Sequence, residues 1–378
     1  MKAKSINGTS PEELNTKLKE ALEDGFSPTL AICFISVKQD RKAIRELLDK
    51  AGLTIFGATT NGGFRDDTMI EESAAILLLD IKPEFFHIQL EGYPEKNYRE
   101  VAAMTAKKAL EKIKNPVFLI AGSNIETDGE ELIYGFEDVM GKEVELHGCM
   151  AGDDFTFTEQ FVFTNEKESN RGLLVLALDG DKIEIKGKAT CGWKAVGTVR
   201  TVTKSEGNHV YTVDDIPVLD LTIKYSGLEI DPSTGDFSVQ MSSQFPLQLQ
   251  RESGEAVMRP GLVVDLNDRS FHCVGSVPQG AKVRFSLPPD FDVIDKVIEA
   301  CEDLKRTEMP DPDALIIFSC AGRLVALGPL MGDEIEGMRK VWEVPTVGMF
   351  SNAELARTPG GNIELHNLTT CAVVLKEK

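Results

Sequence analysis

Apolar and polar positions alternate along the chain in a pattern that predicts short strands and capped helices. Ser10 and Glu13 form a capping box before a stripe of leucines, and Asp40 caps a second helix that ends at Gly52. Apolar runs of strand length accompany these helices at 29–37, 53–56, 74–80 and 85–90. We expect the last two strands to pair, which predicts a β-α-β unit followed by a turn and two closing strands.

The same order of elements recurs in the next stretch of the chain. Asp128 and Glu131 mark the start of a helix that Gly141 ends. The turn GATTNGGF at 57–64 aligns with GCMAGDDF at 148–155. We interpret this as a repeated β-α-β-turn-β-β unit, against the alternative of chance similarity between ordinary α/β segments. The strands of the second copy are expected at 117–121, 144–146, 172–178 and 183–185, the last two again as a closing pair.

A looser third copy lies near the C-terminus, and here chance similarity is an equally good interpretation. Between the copies, residues 198–286 are rich in β-branched residues and turns, which predicts a separate group of strands. The expected fold is α/β (mixed α+β), with two domains of mixed sheets flanked by helices that meet near 220–232. The strand, helix, turn and closing strand of the third copy are expected at 314–319, 330–342, 344–355 and 370–375.

Composition excludes several classes of protein. The 378 residues carry 41 Lys and Arg against 61 Asp and Glu, and a net charge of −20 disfavours nucleic acid and anionic membranes as partners. The seven cysteines form no CxxC pair, and the five histidines are scattered, so we expect no metal and no cofactor. Without a signal peptide or a long apolar segment, a cytoplasmic protein is expected, with no membrane insertion.

The segment FSCAGR at 318–323 is the strongest candidate site, because a strand that enters a tight turn places its last residues at the ligand-binding edge of a sheet. Arg323 has the bidentate geometry that binds a carboxylate or phosphate, although an internal pair with Glu334 or Glu354 is the alternative. Cys320 is a candidate nucleophile, since a nearby arginine lowers a thiol pKa; the alternative is a small buried apolar side chain.

Other candidate residues have competing structural roles. The polar turns that contain Thr60, Asn61 and Asp153 offer side-chain and backbone groups to a ligand, or they are plain turns. His366, within the segment LHNLTT, either contacts a ligand or closes a turn. Trp193 is a lid over a pocket or part of the core, and we favour the core.

Six segments, taken together and in order, resemble the FIST domain proteins, and the resemblance covers both FIST halves from about residue 28. It implies an intracellular, bacterial-type sensory module that binds small molecules, amino acids among them, and that has no catalytic activity of its own. In other architectures the module is joined to signalling domains. The segments are HGCMAGDD at 147–154, CGWKAVGTVRTVTKSEGNHVYTVDDIPVLD at 191–220, VMRPGLVVDLNDRSFHCVGSVPQGAKVRFS at 257–286, FSCAGR at 318–323, VGMFSNAEL at 347–355 and HNLTT at 366–370.

The resemblance also implies domain limits and site residues. A helical lead-in is expected at 1–27, a FIST N-terminal domain at 28–225 and a FIST C-terminal domain at 226–378. The sequence departs from the family pattern at 351–353, where Ser-Asn-Ala replaces the usual Tyr-x-x-Gly, and at 195–196, where Pro is usual. The motif positions carried over are Cys320, Gly322, Arg323, Glu354, His366, Asn367, Thr369, Gly148, Ala151, Gly152, Asp153 and Trp193.

The expected function is therefore the sensing of a small carboxylate or amino acid. Arg323 would hold the carboxylate, Glu354 the amino group, and the turns that contain Thr60, Asn61 and Asn352 would orient the ligand. Because the sequence ends at Lys378 with no output domain, a separate signalling protein is the expected partner. Two alternatives remain at this point: a hydrolase or transferase with Cys320 as nucleophile and His366 as base, and a structural scaffold without a polar pocket.

Overall fold

The computed structural model describes residues 1–229 and 236–378, with side chains from residue 240 onwards in the second range. The helices are α1 (Pro11–Leu22), α2 (Arg41–Lys50), α3 (Tyr98–Lys112), α4 (Gly129–Met140), α5 (Val218–Ser226), α6 (Asp236–Gln244), α7 (Asp292–Thr307), α8 (Ala321–Leu327) and α9 (Met331–Trp342). Ser10, Asp40 and Asp128 accept backbone N–H groups at the starts of α1, α2 and α4, as their sequence positions predict.

The strands fall into two stretches of the chain. The first stretch contains β1 (Lys2–Gly8), β2 (Leu30–Ile35), β3 (Thr54–Thr59), β4 (Gly63–Arg65), β5 (Thr68–Ile70), β6 (Ala74–Asp80), β7 (Phe86–Gly92), β8 (Pro116–Gly122), β9 (Leu146–Met150), β10 (Val162–Phe163), β11 (Glu168–Ser169), β12 (Gly172–Asp179) and β13 (Ile183–Thr190). The second contains β14 (Ala195–Glu206), β15 (His209–Val213), β16 (Ile216–Pro217), β17 (Leu247–Leu249), β18 (Val257–Arg259), β19 (Gly261–Asp265), β20 (Ser270–Cys273), β21 (Lys282–Ser286), β22 (Ala314–Cys320), β23 (Thr346–Ser351), β24 (Ala353–Arg357), β25 (Ile363–His366) and β26 (Thr370–Glu377).

Three six-stranded sheets have the same internal arrangement. In each, a parallel pair lies beside an antiparallel closing strand: β2 and β3 with β6, β8 and β9 with β12, and β22 and β23 with β26. We call these groups, with the helix between the parallel strands, the first, second and third units. The mixed α+β fold is confirmed, and the third copy, for which chance similarity was an equal interpretation, has the same pairing as the other two.

Each unit is followed or interrupted by strands that extend the sheet of another unit. The hairpin that follows the parallel pair crosses to another unit, so that β4 pairs with β23, β10 with β3, and β24 with β9. On the opposite edges β7 pairs with β12, and β13 with β26. The predicted pairings of 74–80 with 85–90 and of 172–178 with 183–185 are therefore wrong, because after each closing strand the chain passes to a different sheet.

The N-terminal stretch is more than a helical lead-in. Besides α1 it contains β1, which pairs with β6 over its full length, from Lys2 opposite Asp80 to Gly8 opposite Ala74. The strand β1 thus occupies in the first sheet the edge that β7 and β13 occupy in the other two. All three sheets are therefore completed by strands from outside their own unit.

One hydrophobic core lies between the three sheets, and helices cover their outer faces. The central core joins all three units, as shown by the edge-to-face contact of Phe34 with Phe318, whose ring centroids are 5.7 Å apart. Separate cores lie under α1 and α2, under α3 and α4, and under α7 and α9. The strands β14 to β21 form an eight-stranded sheet, which we call the inserted sheet. The segment that carries it lies between β13 and α7, so it separates the second unit from the third, and we call this segment the insertion.

Candidate functional site

A cavity of about 760 Å³ lies where the second and third units meet the insertion that carries the inserted sheet. Cys320 ends β22 and Met150 ends β9, so the carboxyl ends of parallel strands face the cavity, as is usual for ligand sites in α/β sheets. Its walls include residues 124–130, 150, 155 and 157 of the second unit, 207–208, 242–243, 260, 262–263 and 272–276 of the insertion, and 320–322, 325, 352–353, 365 and 367–368 of the third unit.

The cavity wall is mostly apolar. Six of its side chains are unusually exposed for large apolar residues: Val263 (58%), Phe157 (56%), Ile125 (48%), Val325 (44%), Leu262 (38%) and Phe155 (37%). Three carboxylates contribute to the wall, namely Glu126, Asp128 and Glu130. Within the described part of the chain no Lys or Arg lines it. The site therefore combines an apolar surface with negative charge, and it offers no lysine or arginine to a ligand.

Four of the site residues that the sequence predicts line this cavity. Cys320 and Gly322 belong to the FSCAGR segment, and Asn352 and Asn367 belong to the two later motifs. The other predicted residues lie outside the cavity wall: Arg323, Glu354, His366, Thr369, Thr60, Asn61, Gly148, Asp153 and Trp193.

Arg323 is completely buried and forms an internal ion pair. Its Nε and Nη2 donate to the carboxylate of Glu334 at 2.5–3.1 Å. The remaining N–H groups donate to the carbonyl oxygens of Cys191 (2.6 Å), Leu368 (3.0 Å) and Val293 (3.3 Å). All five N–H groups of the guanidinium thus have acceptors, and none is available to a ligand carboxylate. Arg323, predicted to hold a ligand carboxylate, forms an internal ion pair instead, and its partner is Glu334 rather than Glu354.

Glu354 is also completely buried, and its carboxylate contacts hydroxyl groups. The hydroxyls of Ser351 and Thr369 donate to its two oxygens, each at 2.7 Å. Burial raises the pKa of Glu354 to about 8, so this carboxyl keeps its proton at neutral pH. The predicted pairing of Glu354 with a ligand amino group therefore lacks both access and charge, and Thr369 supports Glu354 rather than a ligand.

The three polar turns meet one another at the centre of the molecule. Asn61, Gly152 and Asn352 occupy equivalent positions in the three units, and the Nδ2 of Asn61 donates to the Oδ1 of Asn352 at 2.8 Å. The hydroxyl of Thr60 donates to carbonyl oxygens in its own turn and in the third unit. These turns therefore join the sheets, and Asn352 alone of this group also reaches the cavity. Equivalent backbone bonds, each 2.9 Å long, run from Asn61 to Phe350, from Asn352 to Met150 and from Gly152 to Thr59.

Asp153 shapes a loop of the cavity wall without contacting the cavity itself. Its carboxylate accepts the backbone N–H groups of Phe157 (3.1 Å) and Thr158 (2.7 Å) and the side-chain amide of Gln160 (2.7 Å). Because Phe157 lines the cavity, Asp153 is a positioning residue for the wall. A carboxylate that accepts several N–H groups holds a loop in one conformation.

Gly148 and Trp193 have packing roles. A Cβ at Gly148 would lie 2.1 Å from the carbonyl oxygen of Ile120, so glycine permits the close approach of β9 to β8. Trp193 is only 5% exposed and belongs to the core under α7 and α9. Its ring lies 5.1 Å from the guanidinium of Arg323. The favoured interpretation of Trp193 as a core residue agrees with this placement.

The family of the protein follows from these segments and their arrangement. The model of the FIST N domain matches residues 29–216, and that of the FIST C domain matches residues 229–357. The chain belongs to the FIST family. FIST domains are associated with sensing in signal transduction. Both FIST domains contribute to the cavity wall, so the cavity lies at their junction. No match to the chain was found among curated proteins.

The FIST fold does not assemble a cysteine-dependent catalytic site here. Burial raises the pKa of the Cys320 thiol, and it lowers the pKa of His366 to about 4. The Nε2 of His366 donates to the carbonyl of Ala356 at 3.0 Å, and among the described residues no hydrogen bond joins it to Cys320. A protonated thiol without a neighbouring base is not an activated nucleophile. The alternative of a hydrolase or transferase is therefore not supported by this geometry.

Two further findings concern metal sites and membrane-spanning helices among the described residues. In 1–229 and 236–378, no three His, Cys, Asp or Glu side chains are grouped in a way that would hold a metal ion. Over the same residues, no helix has both the length and the apolar character needed to cross a bilayer.

Sequence reasoning missed one functional pair, Arg259 with Glu130. The Nη2 of Arg259 donates to Glu130 at 2.7 Å, and the N–H of Ser276 donates to the same carboxylate at 3.0 Å. The pair joins β18 of the inserted sheet to the start of α4, and Glu130 and Ser276 both line the cavity. The available signal was an arginine within the apolar segment VMRPG, because a buried guanidinium needs a carboxylate partner.

Proposed function

We propose that the cavity at the junction of the two FIST domains binds a small molecule reversibly, and that the protein is a sensory module of signal transduction. The supporting observation is that four motif residues, Cys320, Gly322, Asn352 and Asn367, converge on one cavity of about 760 Å³. This volume is in the range of small-molecule sites. All seven cysteines are free thiols, which is consistent with action in the reducing cytoplasm.

The insertion provides a route from the ligand to a partner. It forms one wall of the cavity and is held to the second unit by the pair of Arg259 with Glu130. A ligand that contacts both walls favours the arrangement in which they are closest, and this difference in affinity shifts the population of arrangements. A separate signalling protein would then bind one arrangement better than the other. The carboxylate specificity that the sequence predicts is not part of this proposal, because Arg323 is not available to a ligand.

The proposal is tested with the neutral fluorophore N-phenyl-1-naphthylamine, which brightens in apolar sites. Saturable binding is expected, with one site per chain. Val325→Trp places a large ring at the cavity wall, on a side chain that is 44% exposed, and should weaken binding at least tenfold. Val199→Trp is the matched control, because Val199 is 54% exposed and lies outside the cavity wall. If both variants bound the fluorophore as tightly as the wild-type protein does, the cavity would not be the binding site.

A further inference from the structure

Two amide side chains of the cavity wall donate their N–H groups to backbone carbonyl oxygens. The Nδ2 of Asn367 donates to the carbonyl oxygens of Val274 (3.0 Å) and Met258 (3.4 Å), and the Nδ2 of Asn208 donates to that of Cys273 (2.9 Å). Because a carbonyl oxygen can only accept, these contacts determine which end of each amide is the nitrogen.

The Oδ1 atoms of both amides lack a donor. Asn367 is only 1% exposed, and Asn208 is exposed; in the described residues no N–H or O–H donates to the Oδ1 of either. Both residues line the cavity. An acceptor that faces a cavity, on a side chain as little exposed as Asn367, gains free energy when a ligand or water supplies a donor. The wall therefore favours a ligand that donates hydrogen bonds.

Asp128 adds a carboxylate without a cation to this wall. Its Oδ1 accepts the N–H groups of Glu130 (3.0 Å) and Glu131 (3.3 Å), and among the described residues no donor reaches its Oδ2. The other two wall carboxylates do have cations, since Glu126 pairs with Lys96 and Glu130 with Arg259. Asp128, which is exposed, is thus the wall carboxylate that forms no ion pair among the described residues and can pair with a cationic ligand.

We infer that the ligand has an apolar body and an amine or other hydrogen-bond-donating end, and that carboxylates bind poorly. The inference rests on the proposed function. The exposed apolar side chains at the cavity would cover the body, and Asp128 with the two amide oxygens would receive the amine. A carboxylate would instead meet Asp128 with no lysine or arginine in the described wall to compensate the repulsion. The net charge of −20 further favours the approach of a cation.

Three probes with one apolar body test this inference: 3-phenylpropylamine, 3-phenylpropan-1-ol and 3-phenylpropanoate, titrated calorimetrically at pH 7. The amine is expected to bind at least tenfold more tightly than the carboxylate. Asp128→Asn should weaken the amine about tenfold and change the alcohol by less than about twofold, because only the amine loses a charge-assisted bond. Asparagine also caps helices well, so α4 should remain folded.

Glu131→Gln is the matched control, since it removes one charge from the same helical turn at a residue that does not line the cavity. It should leave the affinities of all three probes within about twofold. A carboxylate that binds as tightly as the amine, with both lost in Val325→Trp, would overturn the inference and leave the proposed function standing. Binding that survives in Val325→Trp, or the absence of binding by all three probes at millimolar concentration, would overturn both.

Discussion

Arg323 and Arg259 are two completely buried arginines with nearly identical surroundings. Each guanidinium contacts one carboxylate and three backbone carbonyl oxygens. They differ in where the carboxylate lies. Glu334 is 0% exposed within the core of the third unit, whereas Glu130 is 12% exposed and lines the cavity. The same chemistry therefore stabilises the fold in one place and positions a wall of the candidate site in the other.

The largest effect is expected for Arg323→Ala. Its removal leaves Glu334 buried without a cation, and the loss of one partner of a buried pair costs about 3–5 kcal/mol. Urea unfolding followed by tryptophan fluorescence measures this loss. The double variant Arg323→Met with Glu334→Leu removes both charges and should be clearly more stable than Arg323→Ala. A loss below about 1 kcal/mol would mean that burial of this pair contributes little to stability.

Arg259→Ala should cost less, about 2–3 kcal/mol, because Glu130 is partly exposed and water can hydrate it when the arginine is removed. It should also weaken fluorophore binding several-fold, since the insertion loses its link to α4. Folded Arg323→Ala protein should bind the fluorophore normally. The contrast between the two arginines would be refuted if both variants changed binding equally at temperatures where both are folded.

Unlike Glu334 and Glu130, Glu354 is a buried carboxyl group that forms no ion pair with an arginine. Its pKa is raised to about 8 in the folded protein, from 4.5 as the ordinary value. Between these values the folded state binds more protons than the unfolded state, so stability falls as pH rises, by on the order of 1 kcal/mol per pH unit. Glu354→Gln should flatten this slope between pH 6 and 8. An unchanged slope in unfolding titrations across this range would assign the pH dependence to other groups.

The smallest effect is expected for Arg99, which contacts Asp138 through two hydrogen bonds of 2.6 and 2.8 Å. Both side chains are about half exposed, at 48% and 46%, so water and salt screen the pair. Arg99→Ala should shift the midpoint of thermal unfolding by no more than about 1 °C. A shift as large as that of Arg323→Ala would mean that two-point geometry, rather than burial, explains the strength of the arginine pairs.

The sequence predicted most elements that depend on neighbouring residues. The caps at Ser10, Asp40 and Asp128 are visible because a capping side chain bonds to N–H groups two or three positions away. The repeat was visible for a related reason, since each unit carries its own strands, helix and turn. Strand β1 and helix α3 were missed, because their apolar patterns are weak: β1 is an edge strand that is only partly buried, and the buried face of α3 consists largely of alanine.

The candidate site was predicted in part. Cys320, Gly322, Asn352 and Asn367 follow strand ends or belong to motifs, and strand ends are where ligand sites form. Arg323 was assigned to a ligand because its fork geometry suits a carboxylate, and Glu334 supplies that carboxylate from within the chain. A sequence contains both residues but does not show that they meet.

The sequence by itself determined the helix caps, the strand-forming runs, the repeated unit and the family. These are properties of short segments, and each depends on contacts within a few residues. Only the tertiary structure decided which strands pair, which arginine is available and where a cavity remains. Those outcomes depend on segments far apart in the chain, such as Arg259 and Glu130, which come together only after three units exchange their outer strands around one core.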